Sequence, residues 1–419
     1  MPIRVLYFHH GSARAGAPLS LLYLLRELQK HDIEATVCST AEDTEVLRLF
    51  GDAGFATTSC RLLPFAHTTG GTYAWYSPRD LYRFSQWTAD FRAARQRLAA
   101  LLTAHRPDLV HFNSLVLAPY ARVPRSLGIP SVVHVRESVC DGTFGLRKRW
   151  LHAQLHQASR VIFICRDNAD RLPIDAAHGS VIYNPVDFTK FDYRLERSAA
   201  RDALGLPLDA RIVLFAGGSV PWIKGALEYL EAIGRLAERY PNILGLMPWF
   251  PLPDPRGETN PLRKVRSLIS SCRYHARMAR RLIAQYHLTP RLHLFPFRQD
   301  IEQFLAASDL VCVPHREPHF SRTIIEAAAM RRPVVATRIG GIAEVVEDGV
   351  TGLLTPIGDP IALAEAMARV LDDPALAATL SQQSYDYVRH DFDAIHSAAS
   401  VAAVYQQLLP MKTVGCGAP

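Results

Sequence analysis

Two glutamates frame the segment REPHFSRTIIEAAAM, residues 316 to 330: Glu317 in its first half and Glu326 in its second. Ser321 reads as a helix N-cap followed by strong helix formers through Met330, and Pro333 stops the run. Pro318 biases Glu317 towards an extended backbone, so Glu317 belongs to a loop and Glu326 to the helix that the loop feeds. Such a helix start presents unpaired N–H groups and a positive dipole end, which places Ser321, Arg322 and Thr323 to take a phosphate or a polyhydroxyl ligand. A carboxylate such as Glu326 can accept two hydroxyl hydrogen bonds.

A second anion-ready stretch is GGSVPWIKGALEYLEAI, residues 217 to 233, where Gly217, Gly218 and Ser219 lead to Lys224 and Gly225 at a helix mouth. Glycines let the backbone approach an anion, and a lysine there supplies a point charge. FHHGSARAGAPLSLLYLL, residues 8 to 25, puts Gly11 and Gly16 before a helix in the same way. One such turn in each half suggests a diphosphate held between them. A further glycine pair, in RIGGIAEVV at 338 to 346, also precedes a helix start.

The elements that must position these residues alternate. Strand runs are expected at 3–8, 33–38, 108–113, 131–135, 160–164 and 180–183, and again at 211–216, 242–247, 291–295, 309–313 and 333–337, with helical patterns between them. That alternation is the signature of parallel sheets covered on both faces, an α/β class whose ligands sit at the carboxyl ends of the strands. The polar stretch after Asn184, punctuated by Pro185 and Pro207, sets a domain boundary near 195. The expected organisation is a first domain over 1–195, a second over 196–390, and a C-terminal helix in 391–419.

A chain of 419 residues fits two domains. No apolar run approaches the roughly 18 residues of a membrane span, and MPIRVLYFHH enters a strand directly, so a cytoplasmic protein is expected. The seven cysteines are scattered without a CxxC pair, which argues against disulfides and zinc. A net charge of +7 favours anionic partners, among them an anionic membrane surface, while no nucleic-acid module is present. Two segments carry basic residues of interest. NPLRKVRSLISSCRYHARMARRL, 260 to 282, reads as a helix whose arginines form a solvated face. Residues 62 to 98 interleave Phe65, Tyr73, Trp75, Tyr76, Tyr82, Phe84, Trp87 and Phe91 with arginines, which suits either a membrane or sugar contact or packing of a helix on its sheet. His9 and His10 read as polar strand ends, and His111 and His134 as satisfied core histidines.

In chain order, PDLVHFNS, GIPSVVHVRE, VIYNPVDFTKF, GGSVPWIKG, LHLFPFRQDIEQFLAASDLVCVPHRE, FSRTIIEAAAM and IGGIAEVVEDGVTGLLTP resemble the retaining glycosyltransferases of the GT-B fold, glycosyltransferase family 4. The resemblance covers nearly the whole chain and implies two Rossmann-like domains facing a central cleft, 1–195 binding the acceptor and 196–390 the nucleotide-sugar donor, with the C-terminal helix in 391–419 crossing back to the first. It further implies transfer of a hexose from a nucleotide-diphosphate sugar to a glycan acceptor, lipid-linked and at the inner membrane face, in cell-surface polysaccharide synthesis. By resemblance, Lys224 contacts the donor diphosphate and Glu326 the ribose hydroxyls, while the amides of Ser321, Arg322 and Thr323 line the sugar and phosphates. Arg298 would lie near the base, Gly16, Gly218 and Ser219 in the donor loops, and Glu317 and Arg136 at the reaction centre. No cofactor is implied, and no Asp-x-Asp pair for a metal sits at a strand end. Three departures stand out: eight residues instead of seven separate Glu317 from Glu326, Ser219 replaces an arginine, and Arg136 replaces a histidine. Arg136 could restore the lost charge, bind an anionic acceptor, or form a structural ion pair in the neighbourhood of Glu137. Two other functions stay open: a GT-B sugar-nucleotide epimerase, and a non-catalytic nucleotide-sugar-binding subunit, which the shifted Glu317 and the missing arginine favour.

Overall fold

The computed structural model describes residues 2–11, 16–65, 78–139, 143–215, 217, 221–250 and 271–409. Two compact units emerge, one made of Met1–Pro185 with Phe392–Pro419 and the other of Val186–Asp391. The division falls before residue 195 because the intervening residues pack with the second unit: Phe188 and Tyr193 meet Tyr385 edge-on at 6.0 and 5.4 Å.

The first unit is built on a seven-stranded sheet with every pairing parallel, in the order β3-β2-β1-β4-β5-β6-β7. Its strands are β1 Ile3–His9, β2 Ile33–Ser39, β3 Ala56–Ser59, β4 Leu109–Phe112, β5 Ser131–Val135, β6 Arg160–Phe163 and β7 Gly179–Val181. Register pairs Tyr7 with His111 and Phe8 with Phe112. Because neighbours along a strand point to opposite faces, Phe8, Phe112 and Val133 enter one core while Tyr7, Leu109 and Val132 enter the other. The second core is closed by the helix Ala394–Leu408, started by Asp393 accepting from the Ile395 amide at 2.8 Å and burying Ala398, Val401 and Tyr405. The Tyr405 hydroxyl lies 2.9 Å from that of Tyr7 and 2.7 Å from His111 Nδ1.

The helix Pro78–His105 turns Trp87, Ala94, Leu98 and Leu102 inward. Trp87 donates to the Leu63 carbonyl at 3.1 Å, stacks on Phe91 at 4.5 Å and meets Phe65 and Trp150 at 5.2 and 5.7 Å. These rings are core packing, whereas Leu81, Tyr82 and Phe84 are exposed. Tyr73, Trp75 and Tyr76 lie outside the described residues.

The second unit is a six-stranded sheet, again with parallel pairings, in the order β10-β9-β8-β11-β12-β13. Here β8 is Arg211–Phe215, β9 Ile243–Pro248, β10 Leu292–Phe295, β11 Leu310–Val313, β12 Val334–Thr337 and β13 Leu353–Thr355. The helix Ala226–Arg239 covers it with Tyr229, Leu230, Ile233 and Leu236, the spacing of one helical face. Of the basic helix expected over 260–282, the described part is Ser271–Gln285; Arg263, Lys264 and Arg266 lie outside the described residues. Two short strands have no counterpart in the sequence reading: β3, whose ATTS has no apolar alternation and stands at a sheet edge, and β13. Both sheets reverse strand order beside their first strand, between β1 and β4 and between β8 and β11, which is the GT-B pattern of two Rossmann-like domains.

Candidate functional site

In the second unit the reversal lies between β8 and β11, and the loops leaving those strands carry Lys224 and Glu317. Residues 221–225 form a tight turn in which the amides of Lys224 and Ala226 donate to the Pro221 carbonyl at 3.2 and 3.0 Å. The turn is pinned to the neighbouring loop by the Arg316 amide, which donates to the Ile223 carbonyl at 3.0 Å. Gly225 permits this approach: its φ is +79°, and a Cβ there would stand 1.8 Å from the Pro314 carbonyl oxygen. Lys224 is therefore held beside the loop 314–317. Although its side chain is only half-buried, desolvation pushes its ammonium down to about 7.

His315, which sequence reasoning did not single out, is buried in that loop with Nδ1 lacking a hydrogen-bond partner. Burial, then Lys224 and His319, hold its imidazole well below the ordinary range, so it stays neutral. The only signal for it was its place directly after a strand. Glu317 is half-buried, and its Oε2 is enclosed with no hydrogen-bond partner. Such an oxygen costs desolvation unless a ligand supplies a donor.

The helix Arg322–Ala329 begins where the sequence places it, with Ser321 extended at the N-cap position, φ −96°. The Ser321 side chain makes no cap hydrogen bond, which corrects the expected capping role and leaves the helix-start amides of residues 322 and 323 uncapped by it. Glu326 is buried and is not a bare carboxylate: Arg322, one turn earlier, donates to its Oε1 from Nε at 3.1 Å and Nη2 at 2.7 Å. The pairing follows from the i,i+4 spacing, and leaves Oε2 as the oxygen outside that pair. Arg298 is exposed and engaged with Asp300 at 2.9 Å. It follows β10, two strands from β8, hence roughly 10 Å across the sheet. Gly218 and Ser219 lie outside the described residues, and Gly16 opens the helix Gly16–Leu28 in the first unit.

In the first unit the carboxyl ends of β1, β4 and β5 gather a buried polar cluster. Arg136 donates from Nε to Asn113 Oδ1 at 2.6 Å and from Nη1 to Asn184 Oδ1. The Asn113 amide, oriented by that bond, donates to His9 Nδ1 at 3.1 Å, and Arg136 Nη2 lies 3.5 Å from His134 Nδ1. An acceptor role at both Nδ1 atoms puts the proton of each neutral imidazole on Nε2. Those Nε2 atoms, and that of His111, are buried without a partner, so His111 and His134 are core residues whose hydrogen bonding is incomplete where full satisfaction was expected, and His9, expected as a polar strand end, is buried with them. The nearby carboxylate of Glu137 is taken up by the Ser114 hydroxyl and by the amides of Leu115 and Arg136 at 3.0 and 3.2 Å. The guanidinium of Arg136 is thus cradled by amide oxygens where an ion pair with this neighbourhood was one expectation. Among the described residues no group of three or more His, Cys, Asp or Glu is placed to hold a metal ion.

Comparison with known proteins finds a family match in each half. Residues 15–185 match the family described as "Glycosyl transferase 4-like domain", and residues 258–373 match "Glycosyl transferases group 1". A D-inositol 3-phosphate glycosyltransferase of Saccharomonospora viridis is 31% identical over 239 residues, 56% of this chain and 52% of the relative. Its counterpart in Corynebacterium urealyticum is 26% identical over 332 residues, 74% of this chain and 73% of the relative. The match thus spans about half the length of the first of these relatives. Among solved structures, Anabaena HepE in complex with UDP superposes with a TM-score of 0.74 at 22% identity, covering 97% of this chain and all of that one. A sucrose-phosphate synthase of Thermosynechococcus elongatus reaches 0.70 at 20% identity, covering 97% and 99%; both likenesses bear on the fold. With the two family descriptions matched in chain order on two Rossmann-like units, the chain belongs to the group 1 glycosyl transferases, family 4.

Proposed function

We propose that this protein is a retaining glycosyltransferase that moves a hexose from a nucleotide-diphosphate sugar to a lipid-linked glycan acceptor in cell-surface polysaccharide synthesis. The observation that carries the reading is the pairing, at the strand-order reversal of the second unit, of Lys224 with the loop that leads to Glu317 and the helix start at Ser321. Further support comes from the HepE structures, which hold UDP and UDP-glucose. Lys224 and the amides of residues 321–323 take the diphosphate, Oε2 of Glu326 takes a ribose hydroxyl, and Glu317 meets the sugar through its unpartnered oxygen. In the first unit, Arg136 binds an anionic group of the acceptor. The departing phosphate oxygen accepts the acceptor's proton, and the charge it develops is stabilised by Lys224 and the helix dipole, without a metal.

The test is product analysis with an α-linked UDP-sugar and a lipid-linked acceptor. An α-linked product by NMR of the new anomeric proton, with activity persisting in EDTA, is expected. A β-linked product overturns the mechanism, conversion of donor without acceptor points to an epimerase, and binding without turnover points to a non-catalytic subunit. Glu326→Gln is expected to weaken UDP binding in calorimetry by roughly tenfold or more, as for a hydrogen bond to a charged group worth about 1.5–3 kcal/mol. Unchanged UDP affinity removes Glu326 from the site.

Among the described residues no helix is long and apolar enough to cross a membrane. Peripheral attachment is proposed instead through the exposed Leu81, Tyr82 and Phe84, which share the start of their helix with Arg79 and Arg83. Sedimentation with anionic vesicles at low salt is expected to pellet the protein, and Tyr82→Ala with Phe84→Ala to release it. Unchanged pelleting of the double variant removes this face from the proposal.

A further inference from the structure

Asp309, the residue before β11, meets arginines from two directions at the amino ends of the second unit's strands. Its Oδ1 accepts from Arg197 Nη1 at 2.6 Å, and its Oδ2 from Arg201 Nη2 at 2.8 Å and from the Ile212 amide at 2.7 Å. Arg197 and Arg201 stand one turn apart on the helix Arg197–Leu204, so their i,i+4 spacing brings both guanidinium groups to one carboxylate. The remaining donors of Arg201 go to backbone, Nε to the Ala307 carbonyl at 3.0 Å and Nη1 to that of Leu208 at 2.6 Å.

A third arginine, Arg332, lies just before β12, the strand next to β11. It is 7% exposed, and its Nε is buried with no hydrogen-bond partner. Desolvation, then Arg197, push its guanidinium down to about 10 while Asp309 pulls the other way, so it is charged at neutral pH. Among the described residues no second carboxylate pairs with Arg197, Arg201 or Arg332. The cluster therefore sets three positive charges against one negative, an excess of two. Arg331 is not counted, since it is engaged elsewhere with its guanidinium carbon 3.8 Å from the centroid of Tyr193. Taking a guanidinium out of water without a counter-charge opposes folding, and an anion bound beside it removes that cost.

The cluster is separate from the Lys224 site. Asp309 precedes β11 and the loop 314–317 follows it, so a four-residue strand, roughly 13 Å long, lies between the two. Sugar transfer uses residues at the carboxyl ends of these strands and gives the amino ends no task.

We propose that Arg197, Arg201 and Arg332 form an anion site that binds a phosphate group, free or carried on a small molecule. The excess of two charges equals the charge of a phosphate dianion, and the planar fork of a guanidinium fits phosphate oxygens. Arg332 brings the buried donor that has no partner, and Arg197, whose side chain is 48% exposed, gives the ligand its approach from solvent. A phosphate group bound here offsets the buried charge without touching the donor site.

Titration calorimetry with inorganic phosphate at constant ionic strength tests this on Lys224→Ala, in which the donor site is weakened, and on the double variant Lys224→Ala with Arg332→Met. Saturable binding is expected in the first and binding at least tenfold weaker in the second, while Arg332→Met alone keeps the UDP affinity of wild type. If Arg332→Met does not fold, Arg197→Gln takes its place and is held to the same tenfold loss. Glycerol phosphate is the second probe: tighter binding than inorganic phosphate assigns the site to a phosphomonoester, and equal or weaker binding to free phosphate, both in keeping with the proposal. Absence of saturable phosphate binding to Lys224→Ala overturns it, since any phosphate bound by wild type then belongs to the Lys224 site. A loss of less than tenfold on replacing the arginine overturns it as well.

Discussion

Gly225→Ala is expected to destabilise the second unit by more than about 3 kcal/mol and to remove most sugar-transfer activity. The left-handed backbone at φ +79° alone costs a residue with a Cβ roughly 1–2 kcal/mol. The new methyl would also stand 1.8 Å from the carbonyl oxygen of Pro314 and 2.7 Å from its carbon, far inside contact distance. Backbone, not a yielding side chain, is in the way, so the turn 221–225 and the loop 314–317 must separate. That breaks the 3.0 Å bond from the Arg316 amide to Ile223 and moves Lys224 away from Glu317. At roughly 2–4 °C per kcal/mol for a unit of this size, a drop in melting temperature of about 6–12 °C is expected. Gly349→Ala is the control: it shares a positive φ, +76°, but has nothing within 4 Å of the added carbon, so only the backbone cost of about 1–2 kcal/mol applies. Equal losses in the two variants would show that contact with Pro314 does not restrain the site.

This contrast also marks what the sequence made legible. The glycines near Lys224 could be read as an approach to an anion, and the strand after which they occur could be placed to within a residue. That Gly225 is required by the carbonyl of Pro314, in a loop far downstream, could not be read, because contact across adjacent parallel strands leaves no local pattern. The same limit applies in the first unit. SVVHVRE announces a buried strand ending in charge, but the amides that cradle Arg136, Asn113 and Asn184, come from other elements. Periodicity places Glu326 on its helix with Arg322 at i−4, but that spacing alone does not tell a solvent-facing arginine from one that occupies half of the carboxylate's capacity, as Arg322 does here. Short edge strands such as ATTS failed for another reason: four residues with no apolar alternation are carried into the sheet by their neighbour β2, not by their own preference.

Lys224→Ala is expected to lower kcat/KM for the donor by roughly 10- to 150-fold at pH 7, the range for one charge-assisted phosphate contact of about 1.5–3 kcal/mol. The same substitution should abolish a pH dependence that wild type shows. Burial sets the ammonium of the free protein at about 7, so near neutrality about half the molecules carry the charge. A bound diphosphate stabilises the charged form and raises that value, so binding takes up a proton above pH 7. The sign follows: donor affinity is highest below pH 7 and falls by up to about tenfold per pH unit above it, until the ligand-bound value is reached. Stability without ligand runs the opposite way. The folded value lies below that of an unfolded lysine, so the lysine opposes folding below pH 7 and its penalty is relieved as pH rises from about 7 towards the unfolded value. Calorimetry of UDP binding at pH 8 in buffers of different ionisation enthalpy measures the proton directly. Wild type should take up a fraction of a proton approaching one, and Lys224→Ala none. Neighbouring His315, neutral and buried, contributes no proton in this range unless the ligand charges it, so His315→Gln should leave the uptake in place. Uptake that survives in Lys224→Ala but disappears in His315→Gln would transfer the diphosphate contact from the lysine to the histidine beside it.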